Sequence, residues 1–165
     1  MWTIIKFDKS RLNILKQELK KKLGKDAHIY LPKLSIQKYF KNKLINKEMV
    51  LMDDYMFCYH KKFEKSETIN QIKFTRGLKY ILNGFKESQE DIKAFIKKCK
   101  ESENAQGYLT QNFFKIYVNS TYKFKSGPFA EKIFNIINLQ KNKIDILLGN
   151  IRTKINKKDY LFTPL

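Results

Sequence analysis

Cysteine is scarce. The chain holds two, Cys58 and Cys99, far apart and in no CxxC pair. A disulfide scaffold or zinc framework is therefore not indicated, and a reducing cytoplasm is the expected compartment. No apolar run approaches the roughly 18 residues of a membrane span. Trp2–Phe7 is too short for a secretory h-region and is cut off at once by Asp8 and Lys9, so no signal peptide is expected. Histidine occurs only at 28 and 60, and there is no GxGxxG, P-loop or GxSxG motif and no internal repeat. Arginine supplies just three of the 34 basic residues, Arg11, Arg76 and Arg152.

What the chain has in plenty is positive charge. Its 34 basic residues face 16 acidic ones, a formal net charge of +18. Such a field attracts polyanions, meaning nucleic acid or an anionic membrane surface. Abundant Lys, Asn and Ile would also follow from AT-rich coding. The two-to-one excess of bases over acids would not, because the same bias raises Asp and Glu. Length and composition, 165 residues with 42% hydrophobic and 14% aromatic, allow one ordinary domain or two small ones with real cores.

Along the chain, Trp2–Phe7 reads as a strand. Leu12, Leu15, Leu19 and Leu23 recur at helical spacing, with Asp8 or Ser10 to cap the start and Gly24 the end. Ala27–Leu31 reads as a strand stopped by Pro32. Leu34–Phe40 and Leu44–Leu51 read as a hairpin around Asn42-Lys43, and Tyr55–Tyr59 as an aromatic strand. Glu67–Lys73 reads as a short helix, Leu78–Leu82 as a strand. Ser88-Gln-Glu-Asp91 resembles a capping box opening a helix that carries Ile92, Phe95, Ile96 and Cys99 on one face. Lys100–Asn112 is polar and aperiodic, the composition of a linker without fixed contacts. Five short strands are then expected at Tyr122–Lys125, Phe134–Leu139, Ile144–Leu148, Ile151–Ile155 and Tyr160–Phe162, which suits a small closed barrel. Phe129, Ile133, Ile136 and Ile137 also fit a helical spacing. Pro128, Gly149 and the β-branched run oppose long helices there, so the barrel is preferred. The fold class expected is α+β: an N-terminal α/β sandwich over 1–100, a linker over 101–118 and a five-stranded barrel over 119–165.

Catalysis finds little support in these residues. His28 and His60 fall in predicted strands with no ligand spacing and read as surface histidines. Asp53-Asp54 reads as a turn, since adjacent residues point apart. Cys58, between aromatics, reads as a small buried hydrophobe. Recognition is better supported. Tyr55, Phe57 and Tyr59 share one strand face, which periodicity alone assigns to the core while leaving docking open. Thr75-Arg76-Gly77 sets a rare arginine on a tight turn. It is either a phosphate or base contact, or a surface residue beside a turn glycine.

This order of parts resembles the NusG family of transcription elongation factors, with an N-terminal NusG domain and a C-terminal KOW barrel, over nearly the whole chain. Gly127-Pro128-Phe129-Ala130 resembles the turn that opens the KOW motif. Ile146-Leu-Leu-Gly-Asn150 is similar to the segment where general NusG proteins read Ile-Phe-Gly-Arg. Leu51-Met52-Asp53-Asp54-Tyr55 keeps only the Tyr of the family's Phe-Pro-Gly-Tyr, and the second KOW glycine falls at Phe134. Ile69-Asn70, Thr75-Arg76-Gly77, Ile151 and Ile155 are more similar to the specialised paralog RfaH. The resemblance implies a non-enzymatic, RfaH-like elongation or antitermination factor, cytoplasmic and monomeric, without cofactor, metal or membrane partner. It implies that Leu51, Tyr55 and Phe57 meet the clamp helices of the RNA polymerase β′ subunit and that Thr68 and Gln71 belong to the element facing the β gate loop. By the same resemblance Thr75 and Arg76, with Lys9 and Arg11 more weakly, meet the non-template DNA strand. Leu148 and Ile151 would meet the barrel's partner, the small-subunit ribosomal protein NusE rather than Rho. The rival reading is a ribosome-associated or RNA-binding KOW protein with no polymerase contact.

Overall fold

The computed structural model describes residues 1–165. In chain order the elements are β1 (Trp2–Phe7), a 3-10 turn (Lys9–Arg11), α1 (Leu12–Leu23), β2 (His28–Tyr30), β3 (Lys33–Phe40), β4 (Lys43–Val50) and β5 (Tyr55–Tyr59). A 3-10 turn (Lys61–Glu64), α2 (Ser66–Ile72), β6 (Leu78–Ile81), α3 (Gln89–Glu101) and a 3-10 turn (Gln111–Phe113) follow. The chain ends in β7 (Thr121–Phe124), β8 (Ile133–Leu139), β9 (Lys143–Leu148), β10 (Ile151–Asn156) and β11 (Phe162–Pro164). Contacts gather the chain into two compact units. One joins Met1–Pro32 to Val50–Lys98, the other Lys33–Met49 to Cys99–Leu165.

The first unit is built on an antiparallel sheet of order β2-β5-β1-β6. Strand alternation gives it two apolar faces. On one, Ile5, Phe7, Met56 and Cys58 meet Leu15 and Leu19 of α1, together with Phe63 and Ile72. Burying each of those leucines fully is worth about 1.5–3 kcal/mol. On the other, Phe57 meets Ile92 and Ile96 of α3, with Trp2 and Ile4 packed alongside. Gly24 ends α1 as expected, but Asp8 caps the 3-10 turn before it, and α1 itself starts after Arg11 without a side-chain cap. The Asp8 carboxylate accepts from the Ser10 N–H at 3.0 Å, and Gly24, at φ +88°, donates its N–H to the Lys20 carbonyl. Gln89 ties α3 to the start of β1: its amide group accepts from the Trp2 N–H at 2.9 Å and donates to the Trp2 carbonyl at 2.7 Å.

In the second unit β3 and β4 form a two-stranded hairpin. Its turn is Lys41-Asn42, both at positive φ as a primed two-residue turn demands, one residue before the expected Asn42-Lys43. The remaining strands form an antiparallel sheet of order β10-β9-β8-β7-β11. All five expected strands are present within a residue or two, and the segment that also fitted a helical spacing is strand in Ile133–Leu139. Tyr122, Phe124, Phe134, Ile136, Ile144, Ile146, Ile155 and Phe162 make its core. Phe124 is the hub, with the rings of Phe129, Phe134, Tyr160 and Phe162 between 4.2 and 6.3 Å away.

The hairpin's bonds fall on the start of this sheet. The Gln37 N–H donates to the Lys125 carbonyl at 2.7 Å, its side-chain oxygen accepts from the Gly127 N–H at 2.6 Å, and the Tyr39 hydroxyl donates to the Pro128 carbonyl at 2.9 Å. Gly127 is held at φ +76°, and a Cβ there would stand 2.8 Å from two ring carbons of Tyr160. Left-handed backbone alone costs a non-glycine residue about 1–2 kcal/mol. Gly127→Ala is expected to destabilise the second unit by at least that much in urea unfolding, whereas Gly149→Ala, with nothing within 4 Å, should cost only the backbone part.

The supposed linker is a correction. Asn104 accepts from the N–H groups of Gln106 and Tyr108 through its side chain, at 3.1 and 3.0 Å. The Leu109 N–H donates to the Lys33 carbonyl at 2.8 Å, and Leu109 and Phe113 are buried. Short polar side chains that bond their own backbone order a segment without leaving an apolar period in it.

Candidate functional site

The aromatic strand β5 is resolved row by row. Phe57 is 3% exposed, beneath α3, with its ring 5.6 Å from Phe95 and 6.3 Å from Tyr30. It is a core residue here. Tyr55, two positions nearer the strand start, is only half-buried. It pairs in register with Lys6 of β1, which pairs in turn with Tyr80 of β6, so the three side chains form one row across the sheet. The Lys6 ammonium lies 3.3 Å from the Tyr55 hydroxyl oxygen and 4.9 Å from the ring centre. The two tyrosine hydroxyl oxygens are 3.0 Å apart. The Tyr80 hydrogen bond first, and the Lys6 ammonium second, favour the Tyr55 phenolate and lower its pKa, while the Lys6 pKa is raised chiefly by its bond to Tyr55. Asp54 anchors Lys6 at 3.6 Å and Lys79 at 3.7 Å. Leu51 lies half-buried in the preceding turn, its N–H on the Pro32 carbonyl. Cys58, on the opposite face, is wholly buried, and burial pushes its thiol up to about 12, which fits a small hydrophobe and not a nucleophile.

Of the gate-loop candidates, Thr68 is buried on the inner face of α2 and Gln71 is exposed. The Thr75-Arg76-Gly77 turn follows α2 immediately. The Thr75 carbonyl accepts from the Leu78 N–H at 3.0 Å, and Gly77 at φ +88° supplies the positive φ that the third position of a type II turn requires. A Cβ at 77 would also stand 3.0 Å from the Arg11 Cβ. The fold thus brings Arg11 and this turn together. Thr75 is 2% exposed and its hydroxyl accepts from the Lys22 ammonium at 3.0 Å, so it holds the turn instead of presenting itself. Arg76 is exposed at the tip, its backbone N–H on the Glu18 carboxylate at 3.3 Å. Lys9 and Arg11 are exposed too, but each already faces an acid: Lys9 pairs with Asp53, and Arg11 with Asp8 at 3.7 Å.

The histidines need one correction. His28 is exposed, but His60 lies just past β5 at 3% exposure. Its Nδ1 accepts from the Lys62 N–H at 3.2 Å, its ring lies edge-on to Phe63, and burial lowers its pKa. It caps a 3-10 turn, a role that needs tertiary packing and leaves no periodic trace.

In the second unit Leu148 and Ile151 are Cα partners across the β9–β10 pair. Leu148 is half-buried and Ile151 is 67% exposed, so together they offer a small apolar spot at that turn. Elsewhere in the unit a cleft of about 630 Å³ is lined by Phe114, Ile116, Asn112, Lys141, Lys157 and Lys158, among others.

Two further residues escaped sequence reasoning. Tyr80 completes the row with Lys6 and Tyr55, a partnership that only strand order reveals. Phe74 is 84% exposed, and the Lys73 ammonium sits 5.0 Å above its ring. The signal for Phe74 was present: it follows Ile69 and Ile72 out of step with their helical spacing, between a lysine and a Thr-Arg pair.

No family model matches the chain, and no curated protein matches it. Solved structures are similar to the chain over almost its full length, among them an Spt4:Spt5 complex and a NusG. The crystal structure of the MjSpt4:Spt5 complex in conformation B shows 12% identity over 100% of this chain and 98% of that one, with a TM-score of 0.30. A structure of Thermotoga maritima NusG, concerned with domain interaction, shows 14% identity over 95% of this chain and 94% of that one, with a TM-score of 0.34.

Proposed function

We propose that this protein is a transcription elongation or antitermination factor of NusG type, specialised in the manner of RfaH. The first unit, Met1–Pro32 with Val50–Lys98, would bind RNA polymerase across its cleft, and a KOW module over 119–165 in the second unit would recruit a ribosome or another factor. The observation that carries this reading is the Tyr55–Lys6–Tyr80 row. It leaves an aromatic strand partly open at the end where the Arg76 turn also lies, since consecutive residues Phe7 and Asp8 donate to Asp54 and Gly77. Tyr55 would seat the β′ clamp helices, with Leu51 beside it. Phe57, under α3, would support that surface from below. Gln71, with Thr68 behind it, would face the β gate loop, and Arg76 would meet the non-template strand. Binding that favours the closed, active polymerase stabilises it only by the difference in affinity between states.

On the second unit, Leu148 and Ile151 would form the spot for a partner such as the ribosomal protein NusE, and the Gly127-Pro128-Phe129-Ala130 turn supports the KOW assignment. The +18 charge supplies attraction to nucleic acid at any sequence. The lysine-lined cleft with Phe114 favours the second reading, an RNA-binding KOW protein without polymerase contact. Affinity capture from a lysate decides between them: polymerase β′ retained after nuclease treatment supports the first, and ribosomal RNA alone supports the second. Arg76→Ala is expected to lower affinity for an elongation complex with an exposed non-template strand. Its salt slope should fall by about one unit if the contact is a phosphate.

A further inference from the structure

We propose that Phe74 is a stacking platform for one unpaired base, and that Lys22, Lys73 and Arg76 form the cationic rim that holds the strand carrying it. The inference rests on the nucleic-acid reading of the Arg76 turn and goes beyond it by naming the side chain that tells single strands from duplex.

The position of Phe74 is set by its neighbours. Ile72 is wholly buried and Thr75 nearly so, and both are fixed in the fold: the Thr75 N–H donates to the Ile72 carbonyl at 2.9 Å, and the Lys73 N–H to the Ile69 carbonyl at 3.0 Å. With its flanks anchored inward, Phe74 is carried outward on a rigid ledge and stays 84% exposed. A flat apolar face held in solvent gains free energy when a ligand covers it.

The charges beside it differ from those beside the Tyr55 row. Lys6, Lys9, Arg11 and Lys79 are each matched by Asp54, Asp53 or Asp8. Lys22, Lys73 and Arg76 have no ion pair. Lys22 spends its ammonium on the Gln71 carbonyl and the Thr75 hydroxyl, at 3.4 and 3.0 Å, and Lys73 lies over the ring itself. The Glu18 carboxylate receives the Arg76 backbone N–H at 3.3 Å and leaves the guanidinium unpaired. An exposed aromatic ring among unneutralised cations suits a nucleotide strand: the base finds a flat apolar face and the backbone finds positive charge. A duplex, whose bases are already stacked, gains only the second.

The test uses the full chain with three fluorescein-labelled probes: a short single strand of mixed DNA sequence, the same sequence as RNA, and the DNA duplex. Phe74→Ala is expected to weaken binding of at least one single strand about tenfold, with the salt slope unchanged because no charge is lost, and to leave the duplex within twofold. Phe74→Trp should restore or improve the affinity. The strand more sensitive to Phe74 identifies DNA or RNA as the ligand. A 5-iodouracil-substituted strand should photocrosslink at Phe74. Equal losses for strand and duplex, or no loss at all, would overturn the stacking role. If Arg76→Ala still lowers affinity and slope while Phe74→Ala does nothing, the nucleic-acid reading stands and only the platform is wrong. If the unmodified chain binds no probe, both fail.

Discussion

Phe124→Ala is expected to remove about 3–5 kcal/mol from the stability of the second unit, the largest effect of any single substitution considered. Phe124 is wholly buried and touches four other rings, two of them on other strands of the sheet: Phe134 on β8 at 4.2 Å and Phe162 on β11 at 6.3 Å. Truncation deletes the ring contacts and opens a void that rigid neighbours cannot fill. Since a small unit of this kind has about 5–15 kcal/mol in all, most of its margin goes. Urea unfolding, with hydrogen exchange at the amides of β7, β8 and β11, would measure it. Phe124→Leu keeps most of the volume and should cost far less. A loss below about 1 kcal/mol for the alanine variant would show that these rings do not form one cooperative core.

Tyr55→Ala should weaken polymerase binding by about 2 kcal/mol or more, near 30-fold, if the ring is a central anchor. The unit itself should remain folded, because Tyr55 is half-exposed and its partners Lys6 and Tyr80 reach solvent as well. Tyr55→Phe separates ring from hydroxyl. It keeps the apolar surface and loses the contacts to Tyr80 and Lys6, so near-normal affinity would assign the anchor to the ring. Affinity for core polymerase and the melting temperature, measured on the same samples, check the prediction. An alanine variant with normal affinity, or one that simply melts, removes Tyr55 from the proposed interface.

Most of the local architecture was legible in the residues themselves. Alternation placed Trp2–Phe7 and Tyr55–Tyr59 in strands, leucine spacing with Gly24 marked α1 and its end, and Pro128 and Gly149 argued for strands over long helices in the last sheet. These signals are local: period, cap and turn chemistry act within a few residues and survive wherever the segment ends up. The tertiary structure decided what each face is for. Periodicity put Tyr55 and Phe57 on one side of a strand, but α3, thirty-odd residues later in the chain, covers Phe57 and leaves Tyr55 half-open. Thr75 and Arg76 are adjacent in the turn, yet Lys22 from α1 draws the threonine hydroxyl inward and leaves the arginine out. Lys100–Asn112 lacks a period and is nevertheless ordered by Asn104 and by the Lys33 carbonyl. A sequence states which residues share a face. Burial depends on which distant element pays the ordering entropy to cover that face, and that is a property of the assembled contacts.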